Sequence, residues 1–214
     1  MWNALLDYLF PRRSLTGAEG EWVTSAERAK LVSHPEILET SVLRHLGLRH
    51  LDRIVAGTNY RESPLLRGAV ASFKYRRIRG MGEELGAVMI GASNLLNTKD
   101  ASVLCPVPLH WTRKFARGFN QAEILASCLA KERGWEVRHL LRRARPTGSQ
   151  VGRKRNERLQ ALRGSFRVVD DAVIPSSVIL IDDISTTGAT LEECARALKD
   201  AGVVMVQGLV LAHG

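Results

Sequence analysis

The stretch "VILIDDISTTGAT", residues 178 to 190, decides the fold: four apolar positions run into two carboxylates, then into a loop of small hydroxyl residues and one glycine. A continuous apolar run of this length reads as a strand buried on both faces, the pattern of a parallel sheet covered by helices. Behind it, Leu191, Cys194, Ala195 and Leu198 share one helical face, Gly202 ends that helix, and "VVMVQGLVLA" supplies a further strand. Earlier in the chain "SVLCPVP" (102 to 108) reads as a short buried strand stopped by prolines. A helix carrying Ile124, Leu125, Cys128 and Leu129 follows it. Strands alternating with amphipathic helices in this way predict an α/β fold with a mostly parallel sheet flanked by helices.

Ligands of such sheets bind beyond the carboxyl ends of the strands, where Asp182 and Asp183 stand. The first N–H groups of the next helix lack internal partners and its dipole favours an anion. Thr186, Thr187 and Thr190 add hydroxyls, Gly188 lets a ligand approach the backbone, and Ala189 completes the loop. A phosphate is the expected guest. The carboxylates would repel it unless they face another part of the same molecule, either sugar hydroxyls or a Mg²⁺ with its waters. The expected ligand is therefore a sugar phosphate.

Thirty-one Lys and Arg against 22 Asp and Glu give a formal +9, which suggests polyanionic partners without choosing among them. Residues 133 to 163 hold ten of these cations against Glu136 and Glu157, a net +8. Cys105, Cys128 and Cys194 are widely spaced and form no metal or disulfide pattern, so a reduced cytoplasmic setting is expected. "MWNALLDYLF" has Trp2, Leu5, Leu6 and Leu9 at helical spacing but is far shorter than a membrane span. It is expected to be a docking helix, with no membrane insertion. Residues 11 to 36 show no sustained period and read as loosely built. A helical face is expected through Ile37, Leu38, Val42, His45 and Leu46, a second through Leu66, Ala69, Val70 and Phe73, and a third over 82 to 92. Phe119 reads as core, Asn120 and Gln121 as a helix start, and His110 and His139 as ordinary histidines.

"VILIDDISTTGATLEECARALKDAG" resembles the phosphoribosyl pyrophosphate motif of type I phosphoribosyltransferases. More narrowly, "PVPLHWTRKFARGFNQAEILA", "RPTGSQVGRKRNERLQALRGSF" and "FKYRRIRGMGEELG" resemble the ComF family, the competence protein F or amidophosphoribosyltransferase-like group, over roughly residues 50 to 214. The resemblance implies a type I phosphoribosyltransferase domain over 59–214, preceded by a helical accessory region over 1–58. It also implies phosphoribosyl pyrophosphate as substrate and Mg²⁺ as cofactor, the metal held by Asp182 and Asp183 through water. Residues 186 to 190 would take the 5′-phosphate. Lys74, Arg113, Arg117 and Gly118 would lie near the pyrophosphate. Arg145, in a basic segment (143 to 163) expected to close over the substrate, would join the aspartates in catalysis of transfer to a nitrogen acceptor. Gln150, Arg155 and Asn156 match the family pattern in the same segment.

The family's N-terminal zinc finger has no counterpart: Ser14 and Gly17 stand where its first two cysteines are expected, and no cysteine precedes Cys105. No zinc is expected. The competing reading is a non-catalytic accessory protein of competence and DNA uptake, whose basic segment contacts single-stranded DNA and a helicase partner. Trp135 is the only aromatic platform in residues 133 to 163. Acceptor and oligomeric state stay open.

Overall fold

The computed structural model describes residues 13–75, 80–98, 103–109, 115, 117–144 and 155–214, without the side chains of Tyr75, Arg155, Asn156 and Arg158. The docking helix expected over the first ten residues, together with Arg113, Arg145, His110 and Gln150, lies outside them.

Five strands form the central sheet: β1 (Glu36–Glu39), β2 (Arg53–Asn59), β3 (Val103–Pro106), β6 (Ser177–Ser185) and β7 (Met205–His213). Their spatial order is β1-β2-β7-β6-β3, with β2, β7, β6 and β3 parallel and β1 antiparallel at one edge. This is the α/β architecture expected from the apolar strands. Their alternation feeds two cores: Ile179 and Ile181 face one side, Val178 and Leu180 the other. Helices α3 (Pro64–Tyr75), α4 (Met81–Ser93) and α5 (Gln121–Arg133) supply the first core. Helix α7 (Ala189–Asp200) supplies the second, joined by the two-stranded β4 (Leu141–Arg143) and β5 (Phe166–Val168).

Close backbone approach explains two glycines inside the elements. A Cβ on Gly57 of β2 would stand 2.9 Å from the Leu211 carbonyl oxygen, and one on Gly86 of α4 would stand 2.8 Å from Cys128 Cβ on α5. Buried Gln207 in β7 bonds Asn97 in both directions, its Nε2 donating to the Asn97 carbonyl at 2.7 Å and its Oε1 accepting the Asn97 N–H at 2.9 Å. That pair pins the start of the crossover to β3.

The N-terminal half departs from the sequence expectation. Ile37 and Leu38 belong to β1, and only a short helix, α2 (Thr40–His45), follows, burying Leu43 and leaving Val42 exposed. The pairing of Ile37 with Val55 overrides the helical spacing. The boundary expected between residues 58 and 59 falls inside β2, so the sheet draws on both sides of it. "RIVAGTN" is short and centred on glycine, which gives its strand little local signature.

Residues 13 to 31 are tightly organised around one carboxylate. Glu27, in the four-residue helix α1 (Ser25–Arg28), accepts from Ser14 Oγ at 3.0 Å, the Thr16 N–H at 2.6 Å and the Thr24 N–H at 2.7 Å. Burial alone would raise its pKa. The bonds from Thr24, Thr16 and Ser14 outweigh burial and bring it from 4.5 down to about 2. Ser14, at an expected cysteine position, thus serves a hydrogen-bonded knot that closes this segment. A depressed carboxylate contributes stability above its unfolded pKa and loses it as pH falls through the folded value. Glu27→Gln is therefore expected to lower unfolding free energy by about 2 kcal/mol at pH 7. In denaturant titrations at several pH values, the gap to wild type should shrink between pH 4.5 and 2.

Candidate functional site

Strand β6 continues through both aspartates to Ser185, and α7 begins four residues later. The pleat alternates side chains, so the adjacent carboxylates separate onto opposite faces of the sheet. Asp183 faces the α3 side, where Lys74, in the last turn of α3, meets it with Nζ 2.7 Å from Oδ2. Asp182 faces the α7 side and lines a pocket of about 170 Å³ with Ser185, the loop 186 to 190 and Leu162. The Asp183 N–H donates to Asp182 Oδ1 at 2.8 Å, and the Ile184 N–H to Asp183 Oδ1 at 2.7 Å.

Burial pushes the Asp182 carboxyl up to about 7, and the Asp183 charge adds to the shift. The Asp183 N–H, Lys74 and Arg117 pull it back only in part. Asp182 is therefore a carboxylate short of positive charge at neutral pH. Asp182 and Asp183 offer oxygen atoms, the donor type a hard divalent cation prefers when it keeps waters and shares a phosphate. The pair fits Mg²⁺ by donor set. Among the described residues no group of three or more His, Cys, Asp or Glu is placed to hold a metal.

The loop geometry follows from Gly188. Its φ of +76° is a left-handed conformation, and a Cβ there would stand 2.5 Å from Leu48 Cδ1. Leu48 packs under the loop because Glu192, buried in the first turn of α7, accepts the N–H of Arg49 at 2.6 Å and of His50 at 3.1 Å, with His50 Nδ1 at 2.7 Å. Thr186 is exposed, Thr187 and Thr190 are half-buried, and Ala189 is buried. Beside them stands a residue the sequence reading did not single out. Ser185 is 4% exposed, and its Oγ has no hydrogen-bond partner while it lines the pocket. Its signal lay in the unbroken run "STT", obscured because the strand was expected to stop at the aspartates.

A second helix start lies at the neighbouring strand end. Asn120 caps α5, accepting from the Ala122 N–H at 3.1 Å and donating to the Val107 carbonyl at 3.0 Å. Arg117 donates to Gln121 Oε1 at 2.9 Å, which fixes the amide and leaves the buried Gln121 Nε2 without a partner. Gly118 is exposed at φ +79°. Phe119 packs in the core against Phe73, ring centroids 5.4 Å apart, and His139 is exposed. Of the expected site residues, Lys74, Asp182, Asp183 and 186 to 190 are brought together at the end of β6, with Ser185 added by the structure. Arg117 reaches the group through its charge on Asp182.

The basic segment is not one open loop. Its second half is helix α6 (Arg155–Leu162), which packs on α7 and places Leu162 in the pocket wall.

The class is therefore an α/β protein with a mostly parallel five-stranded sheet and a loop-helix pocket at its carboxyl edge, as the resemblance to type I phosphoribosyltransferases implies. More particularly, the chain is similar in sequence to the competence proteins F and ComFC and to the DNA utilization protein YhgH. It is 34% identical over 116 residues to "Competence protein F" of Haemophilus influenzae, covering 51% of this chain and 49% of that protein. It is 34% identical over 108 residues to "Competence protein ComFC" of Bacillus subtilis (47% and 39%). To "DNA utilization protein YhgH" of Salmonella typhi it is 34% identical over 103 residues (47% and 44%). The matched part thus spans half or less of those relatives. No family model matches. Among solved structures, the allosteric regulatory enzyme of purine biosynthesis aligns at TM-score 0.39 and 20% identity, over 61% of this chain and 25% of that one. A hypoxanthine phosphoribosyltransferase from Staphylococcus aureus aligns at 0.34 and 16%, over 65% of each. Among the described residues no helix is long and apolar enough to cross a membrane.

Two stability predictions follow from this geometry. A carboxyl group whose folded pKa is raised loses its stabilising contribution as pH rises from its unfolded value through the folded one. Asp182→Asn, which does not titrate, should therefore gain on wild type as pH rises from 3.8 to about 7, by on the order of 1–3 kcal/mol in denaturant titrations. Gly188→Ala should lower unfolding free energy by about 1–3 kcal/mol, because both φ and Leu48 oppose a methyl group there.

Proposed function

We propose that the chain binds phosphoribosyl pyrophosphate together with Mg²⁺ and transfers the phosphoribosyl group to a nitrogen acceptor. The observation that carries this reading is the pocket at the end of β6, lined by the start of a helix and by Asp182, a carboxylate that no salt bridge compensates among the described residues.

In this reading residues 186 to 190 hold the 5′-phosphate, the start of α7 lining the pocket with the favourable end of its dipole, and Ser185, whose buried Oγ has no partner among the described residues, adds a hydroxyl. Asp182 and Asp183 accept from the ribose hydroxyls and hold Mg²⁺, directly or through water. The metal, when bound, neutralises charge on the pyrophosphate leaving group. Lys74 holds and orients Asp183, while Arg117 and Gln121 Nε2, with Gly118 leaving room for close approach, present donors towards the pyrophosphate. Arg113 and Arg145 add cations from neighbouring sequence. Helix α6 already forms one wall through Leu162, so closure of the basic segment over the site would exclude water from an oxocarbenium-like centre at C1′.

The second reading, a DNA-handling accessory protein without transferase chemistry, is favoured by two features. The sequence from 133 to 163 carries a net +8, and Phe115, 86% exposed, stands two residues from Arg117 and offers a face for a base. The printed names of the relatives, competence and DNA utilization, belong to those proteins and lend this reading weight.

Calorimetric titration of phosphoribosyl pyrophosphate with Mg²⁺ decides between them. Saturable binding by wild type and its loss in Asp182→Asn/Asp183→Asn is the expected result. A folded wild type that does not bind removes the first reading. Reversing the charges at Arg153, Lys154 and Arg155 should abolish salt-sensitive binding of single-stranded DNA under the second. Loss of transfer with DNA binding retained would instead assign the segment to closure.

A further inference from the structure

A separate cavity of about 310 Å³ opens at the same carboxyl edge of the sheet, beside the end of β2. Asn59 pairs with His213, which pairs with Ser185, so this cavity begins two strand spacings, about 10 Å, from the phosphate loop. Leu31, Leu66 and Val88 give it an apolar floor, and Thr58 is buried at its margin. The segment 30 to 34 is tied to β2 at Gly57: the His34 N–H donates to the Gly57 carbonyl at 2.9 Å and Ser33 Oγ to the same atom at 3.2 Å.

The polar inventory is unusual because both signs of charge are present without neutralising each other. Lys30 and His34 come from the segment across β2, Glu36 from β1 and Glu62 from the turn before α3. Among the described residues, no side-chain hydrogen bond or ion pair engages Lys30, His34 or Glu62. Glu36 accepts only from Asn59 Nδ2 at 3.2 Å. A bare phosphate would meet two carboxylates there, and a simple amine would meet the Lys30 ammonium. The guest that satisfies both signs carries an anionic and a cationic group a few ångströms apart on a short aliphatic body. A volume of about 310 Å³ suits a small molecule.

We propose that this cavity binds a small zwitterion of the α-amino acid class, its carboxylate on Lys30 and His34, its ammonium on Glu62 and Glu36, and its side chain against Leu66 and Val88. Helix α3 starts at this cavity and ends at Lys74, which meets Asp183. Binding here does not depend on the phosphoribosyl reading.

The test is titration of the full chain with glycine, alanine, serine, glutamine and glutamate, alongside acetate and propylamine, each to about 10 mM. At least one amino acid should saturate while acetate and propylamine do not. Lys30→Ala and Glu62→Gln should each weaken that binding about tenfold or more, the worth of one charge-assisted hydrogen bond. Both side chains are exposed, and thermal melts check that the variants fold. Binding should survive in Asp182→Asn/Asp183→Asn, which separates this site from the first. Absence of saturation by all five amino acids, equal binding of propylamine or acetate, or unchanged affinity in both single variants overturns the proposal.

Discussion

Two adjacent carboxylates on a strand buried on both faces set the constraint from which the site is built. Asp182 and Asp183 cannot both be ionised side by side in low dielectric without compensation. The strand parts them, sending Asp183 to the α3 side and Asp182 to the α7 side, and only one of the two receives a salt bridge. Lys74 compensates Asp183 at 2.7 Å, while Asp182 is pushed up to about 7. The asymmetry is chemically useful. One carboxylate is held in place by a salt bridge within the protein, and its neighbour is left to a proton, a cation or sugar hydroxyls.

Several packing choices follow from serving that pair. Helix α3 must end where Lys74 reaches across the sheet, and its register is fixed by Leu66, Ala69, Val70 and Phe73 in the core. The loop that faces Asp182 must turn sharply, which Gly188 allows, and must be held from below, which Leu48 does. Leu48 in turn depends on Glu192, whose carboxylate gathers the N–H groups at 49 and 50. A contact made by residues 48 to 50, far from the motif in sequence, thus becomes part of the loop's foundation.

The sheet's parallel core was legible because β6, β7 and β3 are apolar runs long enough to carry the pattern by themselves. The loop was legible because TTG opens an amphipathic helix at a strand end. The readings that failed share a cause: their elements are fixed by distant partners. β1 owes its conformation to β2, and β2 to β7, a chain of pairings that spacing within "EILE" or "RIVAGTN" does not encode. Glu27 gathers Ser14, Thr16 and Thr24 through hydrogen bonds that leave no hydrophobic period, so a closed knot read as a loose segment. In the site, Lys74 was reached through the family resemblance. Its actual partner, Asp183, is 109 positions away and emerges only when α3 is laid on the sheet.

The start of α7 shows how an anion site survives in acidic surroundings. Glu192 and Glu193 both lie in the first turns of the helix, where free carboxylates would compete with a ligand for the positive end of the dipole. Neither is free. Glu192 is occupied by the N–H groups of Arg49 and His50 and by His50 Nδ1, and Glu193 by the Gly164 N–H at 2.5 Å and by Arg196 at 2.7 Å. Each negative charge is turned away from the pocket and spent on tying a neighbouring segment, the approach to β2 in one case and to β5 in the other. Neither glutamate lines the pocket, whose wall is formed by the end of β6 and the loop into α7, where the Ala189 N–H donates to Thr187 Oγ1 at 3.4 Å. The same two side chains thus stabilise the surrounding loops, and Glu192 supports the pocket loop through residues 49 and 50, next to Leu48, which packs under Gly188.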